Sequence, residues 1–213
     1  MGTSIQSSPS LTEGARRLRA ALVTDGVERG VVDAMMRVPR EEFVPEASRE
    51  LAYEDAPLAI GLGQTISQPT LVGKMTDALR LHRRSRVLEV GTGCGYQTAI
   101  LAELASDVWS IELEPALSQA ATARLRRLGY RNIETRVGDG YFGWPEHAPF
   151  DAIIVTAAAP HVPPALVDQL ARGGRMILPV ESELFLVTKD ANGGVAKKML
   201  AHVSFVPLRG AAR

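Results

Sequence analysis

Residues 87–95 leave this chain few folds to choose from. Val87, Leu88, Glu89 and Val90 form a short, mostly apolar run of strand type. Gly91, Gly93 and Gly95 punctuate a turn, and Ile100, Leu101 and Leu104 give the next segment a helical apolar face. A buried strand that enters a helix through a glycine-rich turn is the ligand-binding unit of open α/β sheets, whose ligands sit beyond the carboxyl ends of the strands. The alternation then continues. Strands are predicted at 108–112, 132–137, 150–156 and 175–180. Between them lie helices opening at Pro115, with Leu117, Ala121, Leu125 and Leu128 on one side, and covering 163–171, where Gly173 and Gly174 stop the helix. Residues 184–189 and 195–205 flank Asp190-Ala191-Asn192-Gly193-Gly194, a hairpin signal. The expected fold is therefore α/β and doubly wound: a mostly parallel sheet with helices on both faces and an antiparallel C-terminal edge.

The first third of the chain reads differently. Residues 1–9 are expected to be a disordered tail. Ser10 and Glu13 have capping-box spacing before a helical stripe of Leu11, Ala15, Leu18 and Leu22, which Gly26 ends. Val31, Met35 and Val38 mark a second helix, stopped by Pro39. Residues 39–68 look irregular, and a loop of that length in a compact domain is usually functional. Pro69 suits the first turn of a third helix, with Leu71 or Val72, Met75, Ala78 and Leu79 as its stripe. We expect one domain over 10–213, with an N-terminal helical segment at 10–85 and the α/β core at 86–213.

Bulk properties narrow the function. The 24 basic and 24 acidic residues cancel, so no field favours nucleic acid or an acidic membrane. The single cysteine, Cys94, forbids an internal disulfide and argues against a cysteine-based metal site. His82, His147, His161 and His202 lack metal-ligand spacing, so no metal is expected. No signal-peptide pattern or apolar run of about 20 residues is present. The chain reads as soluble and cytoplasmic, and a monomer is expected in preference to an oligomer.

The glycine turn is not the dinucleotide fingerprint, because Tyr96 stands where a third-position Gly or Ala is needed, and no Gly-Lys-Ser/Thr makes it a P-loop. Three carboxylates refine the reading. Glu112 ends the second core strand about 20 residues past the turn, where an acid accepts ribose hydroxyls. Asp139 follows the third core strand, placed either to accept from an adenine amino group or to cap a helix. Glu89 lies inside the first core strand, as a site residue or a structural carboxylate, and needs partners if buried. An acid-lined pocket suits the sulfonium and ammonium of S-adenosylmethionine better than a pyrophosphate.

At this point the sequence resembles the protein-L-isoaspartate O-methyltransferase family from about residue 11 to 210. The resemblance is carried by residues 37–45 (RVPREEFVP), 52–57 (AYEDAP), 63–69 (GQTISQP), 87–97 (VLEVGTGCGYQ), 138–141 (GDGY), 150–160 (FDAIIVTAAAP) and 203–208 (VSFVPL). It implies a Rossmann-like methyltransferase sheet using S-adenosylmethionine to methylate the free α-carboxylate of L-isoaspartyl residues in damaged proteins and peptides, which starts repair through a succinimide. It implies Ser67 as the catalytic residue, and Thr65 and Ile66 beside both cofactor and substrate. It also implies Glu89, Gly91, Thr92, Gly93, Gly95, Glu112, Asp139 and Gly140 as cofactor-binding positions, under a covering segment at 53–69. Ser67 has a second reading, as part of the cap of the Pro69 helix. Backbone contacts to the substrate are expected from residues 203–208, with Val206 and Pro207 as the named positions, since a sheet-edge segment can pair with a peptide. Cys94 and Thr70 depart from the residues more usual at those positions. Alternatives are a related enzyme acting on a natural-product peptide, a non-catalytic cofactor-binding regulator and, more distantly, an NAD-dependent oxidoreductase.

Overall fold

The structure, a computed structural model, describes residues 9–210. The expected tail at 1–9 falls outside the described residues except for Pro9, which opens the first helix. Helix α1 (Pro9–Thr24) buries Leu11, Gly14, Leu18 and Leu22. Ser10 therefore lies inside the helix and not at its cap, and its hydroxyl donates to the Glu50 carboxylate. Helix α2 (Arg29–Arg37) buries Val31, Val32, Ala34 and Met35. Helix α2 packs on helix α4 (Tyr96–Leu104), and α1 packs on α2, within a cluster that includes Leu18, Leu22, Val32, Met35, Phe43, Ala99 and Ile100.

The stretch expected to be irregular contains order. Two 3-10 turns (Arg40–Glu42 and Glu46–Leu51) precede a pair of short antiparallel strands, β1 (Leu58–Gly61) and β2 (Gln64–Ile66). Helix α3 (Pro69–Ala78) follows, with Pro69 in its first turn. Its cap position is Gln68, whose side chain makes no capping bond. Instead, Asp55 reaches across from the covering segment and accepts from the Thr70 N–H at 3.0 Å, the Thr70 hydroxyl at 2.8 Å and Gln68 Nε2 at 2.8 Å. Thr70, one of the two departures, thus fastens the segment to the helix.

The core sheet has the order β5-β4-β3-β6-β7-β8-β9, built from β3 (Arg86–Val90), β4 (Asp107–Glu112), β5 (Ile133–Val137), β6 (Phe150–Val155), β7 (Leu170–Val180), β8 (Glu183–Lys189) and β9 (Val195–His202). Strands β3 to β7 pair in parallel, and β8 and β9 return antiparallel as the closing edge. Helix α5 (Pro115–Arg127) is as expected. Helix α6 (Pro164–Gln169) is shorter than expected, because Leu170 already pairs with Phe150 of β6. Alternation puts Val87, Val108, Ala152, Ile154 and Ile177 on the face shared with α3 and α4. Leu88, Trp109, Ile153, Val155, Met176 and Leu178 occupy the opposite face with Leu166 of α6. Trp109 and Trp144 both belong to this second cluster. Burial of each such side chain is worth about 1.5–3 kcal/mol, so the strands are held from both sides. Among the described residues, no helix is long and apolar enough to cross a membrane.

Asp55 is solvent-exposed, so its capping bonds fall at the low end of the usual range. Asp55→Ala is expected to cost about 0.5–1 kcal/mol of stability in urea unfolding. Burial raises the Asp55 pKa, but the bonds from Thr70 and Gln68 outweigh it and hold the carboxyl below its ordinary value. A depressed folded-state pKa contributes stability above the unfolded value of about 3.9 and loses it below. The gap between wild type and variant should therefore close as pH falls below about 4.

Candidate active site

The strand order reverses at β3: the chain runs outward through β4 and β5, then crosses back to β6 on the other side. The crevice at that reversal is where α/β sheets take their ligands, and here it opens into a cavity of about 950 Å³, its mouth included. Gly91 shows why the turn needs glycine. Its φ is +97°, and a Cβ there would lie 2.3 Å from Thr156 Oγ1. That hydroxyl donates to the Gly91 carbonyl at 2.7 Å and lies 3.1 Å from the Val90 carbonyl. Gly140 also cannot carry a side chain, since a Cβ would meet Val90 Cγ1 at 2.3 Å.

Glu112, at the end of β4, is the cavity's organising carboxylate. Its Oε2 accepts from the Gly93 N–H at 2.8 Å and its Oε1 from the Glu114 N–H at 3.0 Å. One side chain thus pins the glycine turn to the next strand. Glu112 is buried yet lines the cavity. Thr65, Ile66 and Ser67 face the cavity from β2 and the residue after it, and Gly91, Thr92, Gly93 and Gly140 from the strand ends. Val206 and Pro207 line it from the C-terminal segment.

Three predicted cofactor positions do not line the cavity. Glu89 points to the α4 face of β3 and is fully buried. It accepts from Thr98 Oγ1 at 2.5 Å and Ser110 Oγ at 2.6 Å, leaving Oε1 without a partner. Burial pushes its pKa up to about 8, against the pull of those two hydroxyls and with a further push from the Glu112 charge. Gly95 is the cap residue of α4 and faces Leu125 and Ala121 of α5. Asp139 caps the short turn Gly140–Phe142 by accepting from the Tyr141 N–H at 2.9 Å, and Gly210 rests against its carboxylate. Sequence supplied the positions of these residues, whereas the direction of each side chain is set by strand alternation and by the C-terminal segment.

Other lining residues escaped the sequence reading. Met75, Tyr96, Gln97, Leu113 and Glu114 all contribute to the wall, whereas Phe205, also in it, belongs to the 203–208 segment expected there. Arg209 contributes to the wall too, and it pairs with Glu114 at 2.9 Å. Motif spacing cannot reveal residues brought in from such distant elements. Cys94 is buried in the wall, and burial pushes its thiol pKa up.

The donor set tests which ligand fits. Among the described residues the lining holds two carboxylates, a single cation already paired with one of them, and apolar side chains from Val72, Val90, Ile111 and Pro207. A pyrophosphate would meet net negative charge here, whereas a nucleoside joined to a cationic amino-acid tail meets ribose acceptors and apolar walls. Such a crevice, on such a sheet, defines an S-adenosylmethionine-dependent methyltransferase with a Rossmann-like fold.

Comparison with known proteins agrees. Residues 15–213 match the family described as protein-L-isoaspartate(D-aspartate) O-methyltransferase. A protein-L-isoaspartate O-methyltransferase 2 of Syntrophobacter fumaroxidans is 54% identical over 94% of this chain and 83% of its own. A protein-L-isoaspartate O-methyltransferase of Picosynechococcus is 47% identical over 96% and 93%. A solved protein-L-isoaspartate O-methyltransferase matches with a TM-score of 0.84 at 30% identity, over 92% of this chain and 66% of that one. A Plasmodium falciparum protein-L-isoaspartate O-methyltransferase, solved in complex with S-adenosyl-L-homocysteine, matches at 0.77 and 28%, over 91% and 97%. The chain belongs to the protein-L-isoaspartate O-methyltransferase family, and its methyl donor is S-adenosylmethionine.

Removing the organising carboxylate should loosen both the ligand and the turn. Glu112→Ala is expected to weaken S-adenosylhomocysteine binding by about 1.5–3 kcal/mol, the scale of hydrogen bonds to a charged group. Calorimetry reads this directly, and unchanged affinity would remove Glu112 from the binding site. Glu89 gives a second test. Its raised pKa means that the folded state holds a proton the unfolded state has released, between about pH 4.3 and 8. Stability therefore falls as pH rises through that window. The melting temperature should drop between pH 5.5 and 8, and Glu89→Gln should lessen the drop; an equal drop in both proteins would contradict the assignment.

Proposed function

We propose that this cavity transfers the methyl group of S-adenosylmethionine to the free α-carboxylate of an L-isoaspartyl residue, with Ser67 orienting that carboxylate. The observation that carries the reading is the position of Ser67 on the wall that also contains the glycine turn and Glu112. When bound, S-adenosylmethionine supplies an electrophilic methyl on a sulfonium centre. The chain's residues then have alignment and exclusion of water to provide. The substrate carboxylate is already ionised near neutral pH, so no general base is required. The lining fits this economy, for among the described residues it contains neither histidine nor lysine.

The Ser67 hydroxyl acts as a hydrogen-bond donor and not as a nucleophile. Its competing role as a helix cap is not needed, because Asp55 satisfies the start of α3. Alignment of reacting groups is worth roughly 7–11 kcal/mol in favourable cases, and removing water from a carboxylate raises its reactivity further. Thr65 and Ile66 position both ligands from the covering segment. Gly91, Thr92, Gly93 and Gly140 hold the nucleoside and amino-acid ends by backbone approach, with Glu112 on the ribose. Glu89, Gly95 and Asp139 support this arrangement from behind the wall.

The peptide substrate runs along Val206 and Pro207. The Val206 carbonyl and the Leu208 N–H are bonded to Ala158 at 2.8 Å each. On the opposite side Pro207 has no N–H and offers its carbonyl alone, which we assign as the acceptor for a substrate N–H, with Val206 beside it. After transfer, the methyl ester closes to a succinimide with loss of methanol, and hydrolysis returns part of it to normal aspartate. We further read the protein as a cytoplasmic monomer acting on damaged proteins and peptides, with no nucleic-acid or membrane partner, consistent with its net charge of zero.

Radiolabelled methyl transfer to an isoaspartyl peptide and to its normal aspartyl twin tests the activity, and only the isoaspartyl peptide should be labelled. Ser67→Ala should lower that rate by about 100-fold, the cost of misplacing a reacting group by an ångström, with S-adenosylhomocysteine affinity near wild type. Full turnover in the variant would take Ser67 out of the mechanism.

A further inference from the structure

The largest fully buried side chain among the described residues is a cation, Arg40. It opens the first 3-10 turn, directly after Pro39. Its Nε donates to the Ala52 carbonyl at 2.6 Å and its Nη2 to the Ser67 carbonyl at 2.8 Å. Its Cζ lies 4.7 Å from the centre of the Tyr96 ring, itself part of the cavity wall. Nη1 is buried without a hydrogen-bond partner. Among the described residues, Arg40 forms no salt bridge with a carboxylate.

A buried charge without a counterion is costly, and burial accordingly pulls the Arg40 pKa below its ordinary value. An apolar residue of similar volume fills such a space more cheaply. Packing therefore does not explain the charge. What an apolar side chain cannot do is bridge two backbone carbonyls that lie 12 and 27 residues away along the chain. The guanidinium does this with a flat, preorganised fork. One prong holds the end of the second 3-10 turn, and the other holds the peptide group of Ser67.

We propose that Arg40 is a positioning residue for methyl transfer: by clamping the Ser67 carbonyl to the Ala52 carbonyl, it fixes the backbone from which the Ser67 hydroxyl reaches the substrate carboxylate. The inference rests on the role given to Ser67 above. Arg40 lines no part of the cavity and acts only through that backbone. Its fixed geometry matters because a catalytic constellation must be held within about 0.5 Å of its productive arrangement.

A double-mutant cycle tests it, using the full-length protein, an isoaspartyl peptide, S-adenosylhomocysteine calorimetry and circular dichroism as a check on folding. Arg40→Met should lower the transfer rate about 30- to 100-fold, almost wholly in kcat, the effect of a misplacement near one ångström. S-adenosylhomocysteine affinity should change by less than about threefold, and Arg40→Lys, which keeps the charge and reaches one carbonyl, should recover part of the rate. In a Ser67→Ala background, Arg40→Met should cost less than about threefold more, because the two changes remove the same interaction. An equal loss in both backgrounds, a shift confined to KM, or a fully active Arg40→Met overturns the clamp while leaving Ser67 in place. Full activity of Ser67→Ala, read with Arg40 intact, overturns the role of the serine itself and the clamp with it. If Arg40→Met does not fold, Arg40→Lys completes the same cycle, and its loss must again be smaller without the serine hydroxyl.

Discussion

At the carboxyl end of β3 the main chain passes the Thr156 hydroxyl so closely that Gly91 has no room for a Cβ, and the cavity depends on that approach. Thr156 ties the turn to β6, and Glu112 ties it to β4 through the Gly93 N–H. The turn is thus held between the two strands that flank β3. Neither bond would keep its geometry on a mobile support. The sheet below is apolar on both faces, with Leu88 and Ile153 packed toward α6 and Val87 and Ile154 toward α3 and α4. A tightly packed interior resists small displacements, so the strand ends present fixed backbone groups to whatever occupies the crevice.

The covering segment is held by polar bonds at both of its shoulders. Asp55 fastens it to the start of α3, and Arg40 joins its Ala52 end to Ser67. Between these points β1 and β2 form a short antiparallel pair, and Ile60 Cδ1 would lie 3.5 Å from a Cβ built on Gly93. Two strands alone are marginally stable, so this pair owes its shape to the ground it covers. Tyr53 adds a third tie, donating to Glu41 at 2.5 Å, and burial pushes its pKa far above the ordinary value.

The α/β core was legible in the sequence because its signals are local. Val87–Val90, Phe150–Val155 and the glycines between strand and helix each announce themselves within a few residues. The β1–β2 pair was not legible: Leu58–Gly61 and Gln64–Ile66 are too short to show a period, and proline and glycine around them read as loop. Helix α6 ends before its glycines because Leu170 finds a strand partner 20 residues earlier in the chain. At the site, sequence located the acids but could not aim them. Glu89 and Val90 are neighbours on one strand, yet only Val90 lines the cavity, since successive strand residues point to opposite faces. Arg40 lay in a recognisable segment and Arg209 directly after one, but nothing local told that one would reach Ser67 and the other Glu114.

The two lateral walls of the cavity are held by different physics. On the Ser67 side the ties are buried: Arg40 is inaccessible to solvent, and Ile66 is packed into the N-terminal cluster. On the C-terminal side the ion pair between Arg209 and Glu114 is partly exposed at both ends, and such pairs contribute about 0–1 kcal/mol. Residues 206–208 are joined to the body by two backbone bonds to Ala158 and by Leu208, which is only partly buried against the second core cluster. Local stability follows buried contact and protected hydrogen bonding. The wall to which we assign the substrate oxygen is therefore the firm one, and the weaker wall is the one we assign to the incoming peptide. A reaction that needs alignment more than proton transfer places its rigidity where this structure has it.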